Sequence, residues 1–239
     1  MGRFAGFIAF MAIAMVLFVA LGLWQVQRLA WKQEVIADRA AVLAAAPLPV
    51  ERLAALQVTA ADFHPATASG RYLQSADLLL HGQVLGGQLG VRVLTPLVMA
   101  DGRAILVERG WLAQGTRTTD SIAVPPPPDG LVLVDGRYRV LRPATGLARQ
   151  FRPDNQPDAG IWYHVDTTAM AAATRTTLLP GVLLADGGAP GVLARRVAVD
   201  PSLPNNHLGY ALTWFGLALT TLVMTVISII RRRHGRGVH

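Results

Sequence analysis

The sequence predicts a membrane protein of the α+β class, with two transmembrane helices flanking a mainly antiparallel β domain. Three observations predict it. An apolar run from Phe4 to Val26 opens the chain, and a second from Leu208 to Ile230 nearly closes it. Each run holds about 23 residues, enough to cross a hydrocarbon core of roughly 30 Å. Between them, short Val- and Leu-rich segments alternate with turns built on Gly, Asp and Pro, as antiparallel strands do. The expected organisation is a first transmembrane helix at 4–26, a periplasmic α+β domain at 27–206, a second transmembrane helix at 207–230 and a basic cytoplasmic tail at 231–239.

Composition narrows the function classes. Hydrophobic residues make up 52% of the chain, and the excess sits at the two ends. The formal charge of +7 invites a nucleic-acid partner. However, Arg3, Arg231, Arg232, Arg233 and Arg236 lie outside the apolar runs and supply most of it. No basic stripe is left to track a phosphate backbone. Cysteine is absent, which removes disulfides, thiolate metal sites and cysteine nucleophiles and argues against handling of Cu(I).

The first run reads as a retained anchor rather than a cleaved signal. It is long, no small-x-small site follows, and Trp24 and Trp31 suit an interfacial belt. Trp24, Arg28 and Trp31 recur at one helical face, and the helix is expected to continue to about Ala41, before Pro47 and Pro49. Arg28 has two readings, a cation–π anchor at the interface or a cation for an anionic group at the membrane surface, such as a haem propionate. The Arg231–Arg233 run after the second span predicts cytoplasmic termini and a periplasmic middle in a bacterial inner membrane.

Strands are expected in ATASGRYL, LLLHGQVL, VRVLTPLVM, AILVERGWL and LVLVDGRYRVL. Ala100-Asp101-Gly102 reads as a hairpin turn. SGRY at 69–72 and DGRY at 135–138 hint at a weak duplication, and the four prolines within 123–130 at a stiff exposed loop. WYHV at 162–165, Leu178–Leu184 and Arg195–Val199 read as further strands. Asp166 or Thr167 caps a short helix over 168–173. Trp111, at the end of a strongly apolar strand, is expected to be buried.

Catalytic arrangements are hard to find. Glu108 and Arg109 read as a strand-end ion pair. His64, His81 and His164 lie on separate segments, and TRTTDS at 116–121 is a polar loop. No nucleophile elbow, zinc-protease helix or phosphate loop is present. The chain is expected not to be an enzyme. The more informative feature is His207, at the mouth of the second span after two asparagines. It either ligates a metal or cofactor or lies at headgroup level beside a capping Asn205 or Asn206. Tyr210, Ala211, Trp214, Leu217 or Ala218, and Thr221 follow it on one face at helical spacing. Tyr210 and Trp214 either stack along a macrocycle or form an aromatic belt packed on the first span.

LGLWQVQRLAWK at 21–32, VERGW at 107–111 and PNNHLGYALTW at 204–214 resemble the surfeit locus protein 1 family, membrane proteins that assist assembly of haem–copper cytochrome oxidases. Glu108 departs from the family pattern, which has Asn. The resemblance implies an assembly factor that binds haem a, with His207 as the iron ligand and Tyr210, Trp214, Trp24 and Arg28 as contacts, and aids haem insertion into oxidase subunit I. Implied partners are subunit I, haem a synthase and membrane lipid, with no nucleic acid. The alternative is a haem-free scaffold or accessory subunit that stabilises the oxidase through helix packing.

Overall fold

The computed structural model describes residues 2–56, 58–114, 122–142, 150, 153–195 and 205–234. The expected strand from Arg195 to Val199, the TRTTDS loop and Arg236 lie largely or wholly outside them, as does the side chain of Arg3. The chain divides into two compact units, residues 1–40 with 201–239 and residues 41–200.

The first unit is helical. α1 spans Gly2–Leu43, its last residues belonging to the second unit, and α5 spans His207–His234. Both are long and apolar enough to cross a membrane. α1 stops short of Pro47, as expected from the lost N–H and the ring clash of proline. Five hydroxyls of α5 return a hydrogen bond to the carbonyl four residues back, at Thr213, Thr220, Thr221, Thr225 and Ser228. An apolar helix thus carries five alcohols without leaving them unpaired.

The second unit is built on a closed barrel. Its elements are β1 (Leu48–Pro49), α2 (Val50–Ala54), α3 (Val58–Ala61), β2 (Pro65–Tyr72), β3 (Leu78–Leu85), β4 (Gln88–Met99), β5 (Arg103–Ala113), β6 (Val132–Arg139), a 3-10 turn at Pro157–Ala159, β7 (Ile161–Trp162), α4 (Thr167–Thr174) and β8 (Thr177–Ala185). The ring runs β2-β6-β8-β5-β4 and returns to β2 through Gly70–Met99, Arg71–Val98 and Tyr72–Leu97. A ring of five cannot alternate direction all the way round, so one pairing must be parallel. That pairing is β5–β8, and the other four are antiparallel. The antiparallel expectation holds, with this closure in addition. β3 and β7 extend the sheet beyond β4, and β1 lies beside β2.

Strand alternation sorts the core into two clusters. Ile105 and Val107 of β5, with Leu183 and Ala185 of β8, join Ala66, Leu97, Val134 and Tyr138 inside the barrel. Leu106, Val182 and Leu184 face the other way, under Met170 of α4 and Trp162 of β7. α4 begins as expected, with Asp166 accepting from the amides of Thr168 and Ala169, each at 3.0 Å.

The two GRY segments share one role. Lying on the paired strands β2 and β6, their glycines admit a neighbouring carbonyl, since a Cβ would stand 2.3 Å from Val98 O at Gly70 and 2.2 Å from Leu184 O at Gly136. Their tyrosines are buried and donate to proline carbonyls, Tyr72 to Pro190 at 3.0 Å and Tyr138 to Pro180. Burial raises both phenols to about 12.

Three expectations are corrected. WYHV forms a strand only through Trp162. Glu108 and Arg109 do not pair with each other, because Glu108 meets Arg92 at 3.0 Å and Arg109 meets Asp77 at 3.2 Å. The proline loop is not simply exposed: Pro127 is buried, and Pro125 and Pro127 accept from Arg109 at 2.7 Å and Gln74 at 3.3 Å.

Candidate functional site

The predicted site lies in the helical unit, at the N-terminal turn of α5. Asn206 stands at its N-cap position, with its carbonyl accepting from the Tyr210 amide at 3.3 Å, and Asn205 Oδ1 accepts from the His207 amide at 3.4 Å. His207 is half-buried. Its Nδ1 donates to Oε1 of Gln25 on α1, at 2.8 Å. Among the described residues Nε2 has no hydrogen bond. An imidazole whose Nδ1 carries the proton presents the Nε2 lone pair, the state a metal-ligating histidine requires.

Side-chain contacts fix how the two helices meet. Phe18 stacks on Trp214, with ring centroids 5.9 Å apart and an interplanar angle of 26°. Gly22 lies against Phe215, where a Cβ would stand 2.6 Å from the ring. Arg232 covers Phe4 at 3.9 Å. Low numbers on α1 meet high numbers on α5, so the pair is antiparallel. The α1 face is Phe18, Gly22 and Gln25, at i, i+4 and i+7. The α5 face is His207, Ala211, Trp214, Ala218 and Thr221, where Ala211, Ala218 and Thr221 are buried. Small residues at this seam let the backbones approach.

The predicted residues separate by position. Trp214 packs against α1. Tyr210 is 58% exposed and Trp24 55% exposed, and among the described residues neither ring stacks on another. Arg28, also exposed, stands 3.8 Å over the Trp31 ring, the cation–π contact of the anchoring reading. Gln25, which stands with Trp24 and Arg28 in the membrane-boundary motif at 21–32, is the residue that meets His207. Its signal in sequence is a lone polar side chain in line with Phe18 and Gly22, on the face that becomes buried.

A second constellation lies in the barrel unit, at VERGW. A bulge pairs Val93 with Gly110 and Leu94 with Glu108, leaving Arg109 as the extra residue. Its side chain turns inward and is 1% exposed. The guanidinium donates to Gly191 O at 2.7 Å, Asp77 at 3.2 Å, Thr95 at 3.4 Å and Pro125 O at 2.7 Å. One arginine thereby fastens three connecting segments to β5. Burial raises the Glu108 carboxyl, with Arg92 and Arg139 opposing. Burial likewise lowers His81, against a hydrogen bond that its ring donates to the Gln114 side chain. Among the described residues no group of three or more His, Asp or Glu is placed to hold a metal ion.

The model of the SURF1 family matches residues 12–219, from within α1 to within α5. The chain belongs to the SURF1 family. It is similar to a SURF1-like protein of Monosiga brevicollis, 29% identical over 95% of this chain and 88% of the relative. It is also similar to Surfeit locus protein 1 of Rattus norvegicus, 28% identical over 90% and 73%, and to a SURF1-like protein of Rickettsia felis, 26% identical over 90% and 93%. The match takes in the motifs at 21–32 and 204–214 and VERGW at 107–111.

Proposed function

We propose that this chain is a membrane-anchored assembly factor for a haem–copper cytochrome c oxidase, holding haem a on His207 for insertion into subunit I and performing no turnover itself. Membership of the SURF1 family supports the assembly role. The observation that carries the haem assignment is the 2.8 Å contact from His207 Nδ1 to Gln25, which leaves Nε2 as a nitrogen ligand on a half-buried ring. The donor set therefore fits a haem iron.

When bound, the haem would supply an iron that accepts a nitrogen ligand and a flat apolar ring. His207 would furnish that nitrogen. Trp24 and Tyr210, exposed aromatics next to the Gln25–His207 contact in sequence, would offer apolar faces. Arg28 would meet propionates, its guanidinium serving as a charge-assisted donor. Trp214, stacked on Phe18, keeps the two helices paired. Ligation through one side chain suits a group that is later handed on.

Orientation follows from Arg231, Arg232 and Arg233 at the C-terminal end of α5. Under the positive-inside rule these support a reading with both termini cytoplasmic and the barrel periplasmic in a bacterial inner membrane. Subunit I, haem a synthase and lipid are the partners this reading requires.

The test is His207→Ala in protein purified from cells that make haem a. The Soret band is expected to vanish or shift strongly while membrane insertion, measured on the same samples, is kept. A wild-type spectrum and stoichiometry in that variant would refute ligation by His207 and favour the haem-free scaffold.

A further inference from the structure

We infer that Gln25 is a positioning residue for His207, selecting the imidazole tautomer that leaves Nε2 able to ligate and setting how strongly it donates. The inference rests on the proposed haem ligation by His207. A glutamine that is 8% exposed beside an apolar run is costly unless its amide finds a partner. Its partner is the one ring 182 residues away that the chain carries to the same level of the helix pair, at 2.8 Å.

The chemistry of that contact is directional. A carbonyl oxygen has no proton to give, so the nitrogen facing it must be the protonated one. A neutral imidazole has one N–H, and fixing it at Nδ1 fixes the lone pair at Nε2. Metal-bound histidines commonly hold their second nitrogen in this way, against a carboxylate, a carbonyl or water. Here the acceptor is a neutral amide, weaker than a carboxylate. It therefore orients the ring without driving it toward imidazolate character, as suits a nitrogen that must later release its metal.

The helix packing supports the same assignment. Gln25 follows Phe18 and Gly22 on the seam, and Gly22 lets Phe215 come within what would be 2.6 Å of a Cβ. That close approach brings α5 near enough for the amide to reach the ring directly. Trp214 on Phe18 closes the same seam one turn further in.

The experiment uses the full chain in detergent and compares Gln25→Leu, Gln25→Glu and His207→Ala. Leucine suits the apolar run, so the first variant removes the acceptor and spares insertion. In haem-free protein, ¹⁵N spectra of labelled histidine, with the His207 signal identified by its loss in His207→Ala, are expected to show the Nδ1–H tautomer in the wild type and in Gln25→Glu. In Gln25→Leu the proton should move toward Nε2. On titration with haem a, Gln25→Leu should bind about 10–100-fold more weakly. Gln25→Glu should keep binding and lower the iron reduction potential, because a carboxylate is the stronger acceptor. An Nε2–H tautomer in the wild type overturns the inference. So does wild-type haem affinity in Gln25→Leu when His207→Ala is haem-free, an outcome that leaves ligation by His207 standing. Haem retained by His207→Ala overturns the ligation reading and this inference with it.

Discussion

Replacing Trp111 with alanine removes one of the two largest fully buried side chains among the described residues of the barrel unit. The indole is 1% exposed, lies against Gly90, and donates from Nε1 to Gln83 O at 3.1 Å. Arg195 covers it at 4.2 Å. A buried indole removes about 150–250 Å² from water, worth about 4–6 kcal/mol at roughly 25 cal/mol per Å². Compactness of the unfolded chain reduces that figure, whereas the lost hydrogen bond adds about 1 kcal/mol. Aromatic-to-alanine changes in cores cost about 3–5 kcal/mol, and about 4 kcal/mol is expected for Trp111→Ala. With a urea dependence of about 2 kcal/mol per M, the midpoint of the barrel transition, followed by the β-sheet circular dichroism of the full chain in detergent, should fall by about 2 M. Trp111→Phe should fall between the two. Gly90→Ala should destabilise as well, and in the Trp111→Ala background too. Its new Cβ would meet Leu112 O at 2.2 Å in addition to the indole, and the carbonyl stays when the indole goes. An unchanged midpoint for Trp111→Ala would mean that the ring does not support the barrel, and would refute its burial against Gly90 as a source of stability.

Three further outcomes are expected. Arg109→Lys keeps the charge, but one ammonium cannot serve Asp77, Gly191 and Pro125 together; a loss of about 2–4 kcal/mol and faster proteolysis in the proline loop should follow, and wild-type values for both would show that the guanidinium does not hold these segments. Tyr72 and Tyr138 titrate at about 12 in the folded chain and at 10.0 otherwise. Their contribution is complete below pH 10 and is lost as pH rises toward about 12, where the unfolded chain alone has released the protons. Alkaline unfolding should therefore be shallower in Tyr138→Phe, and an identical pH profile would exclude a role for that phenol. For orientation, alkaline phosphatase fused at Gly187 should be active and fused after His239 inactive; the reverse pattern would overturn the assigned topology.

The long elements were legible because their signals are local. Two apolar runs, the Asp-Gly turn at 101–102, the Asp166 cap and the five strand segments each follow from residues near in sequence, and burial of Trp111 followed from the strand that carries it. The Gly86-Gly87 turn joining β3 to β4 is equally local: both residues have positive φ, at 60° and 78°, as a tight hairpin demands. His207 could be singled out because an imidazole at the end of an apolar helix is rare on chemical grounds. Its resemblance to the family's histidine sharpened that choice.

Only the tertiary structure could decide what depends on distant pairings. Closure of the barrel through β2 and β4 is a register between segments that no turn connects. Glu108 and Arg109 alternate to opposite faces of β5, Arg109 on the side of Ile105 and Val107, and the partners that divide them, Arg92 and Asp77, come from other segments of the chain. The proline loop looked free because its anchors, Gln74 and Arg109, come from elsewhere in the chain. Gln25 and His207 stand at opposite ends of the sequence, and a hydrogen bond at 2.8 Å requires that two helices first pack through Gly22, Phe18 and Trp214. Composition and periodicity record which face of a helix is apolar. Which polar atom on that face meets which partner depends on the crossing of the helices, and that is fixed by packing.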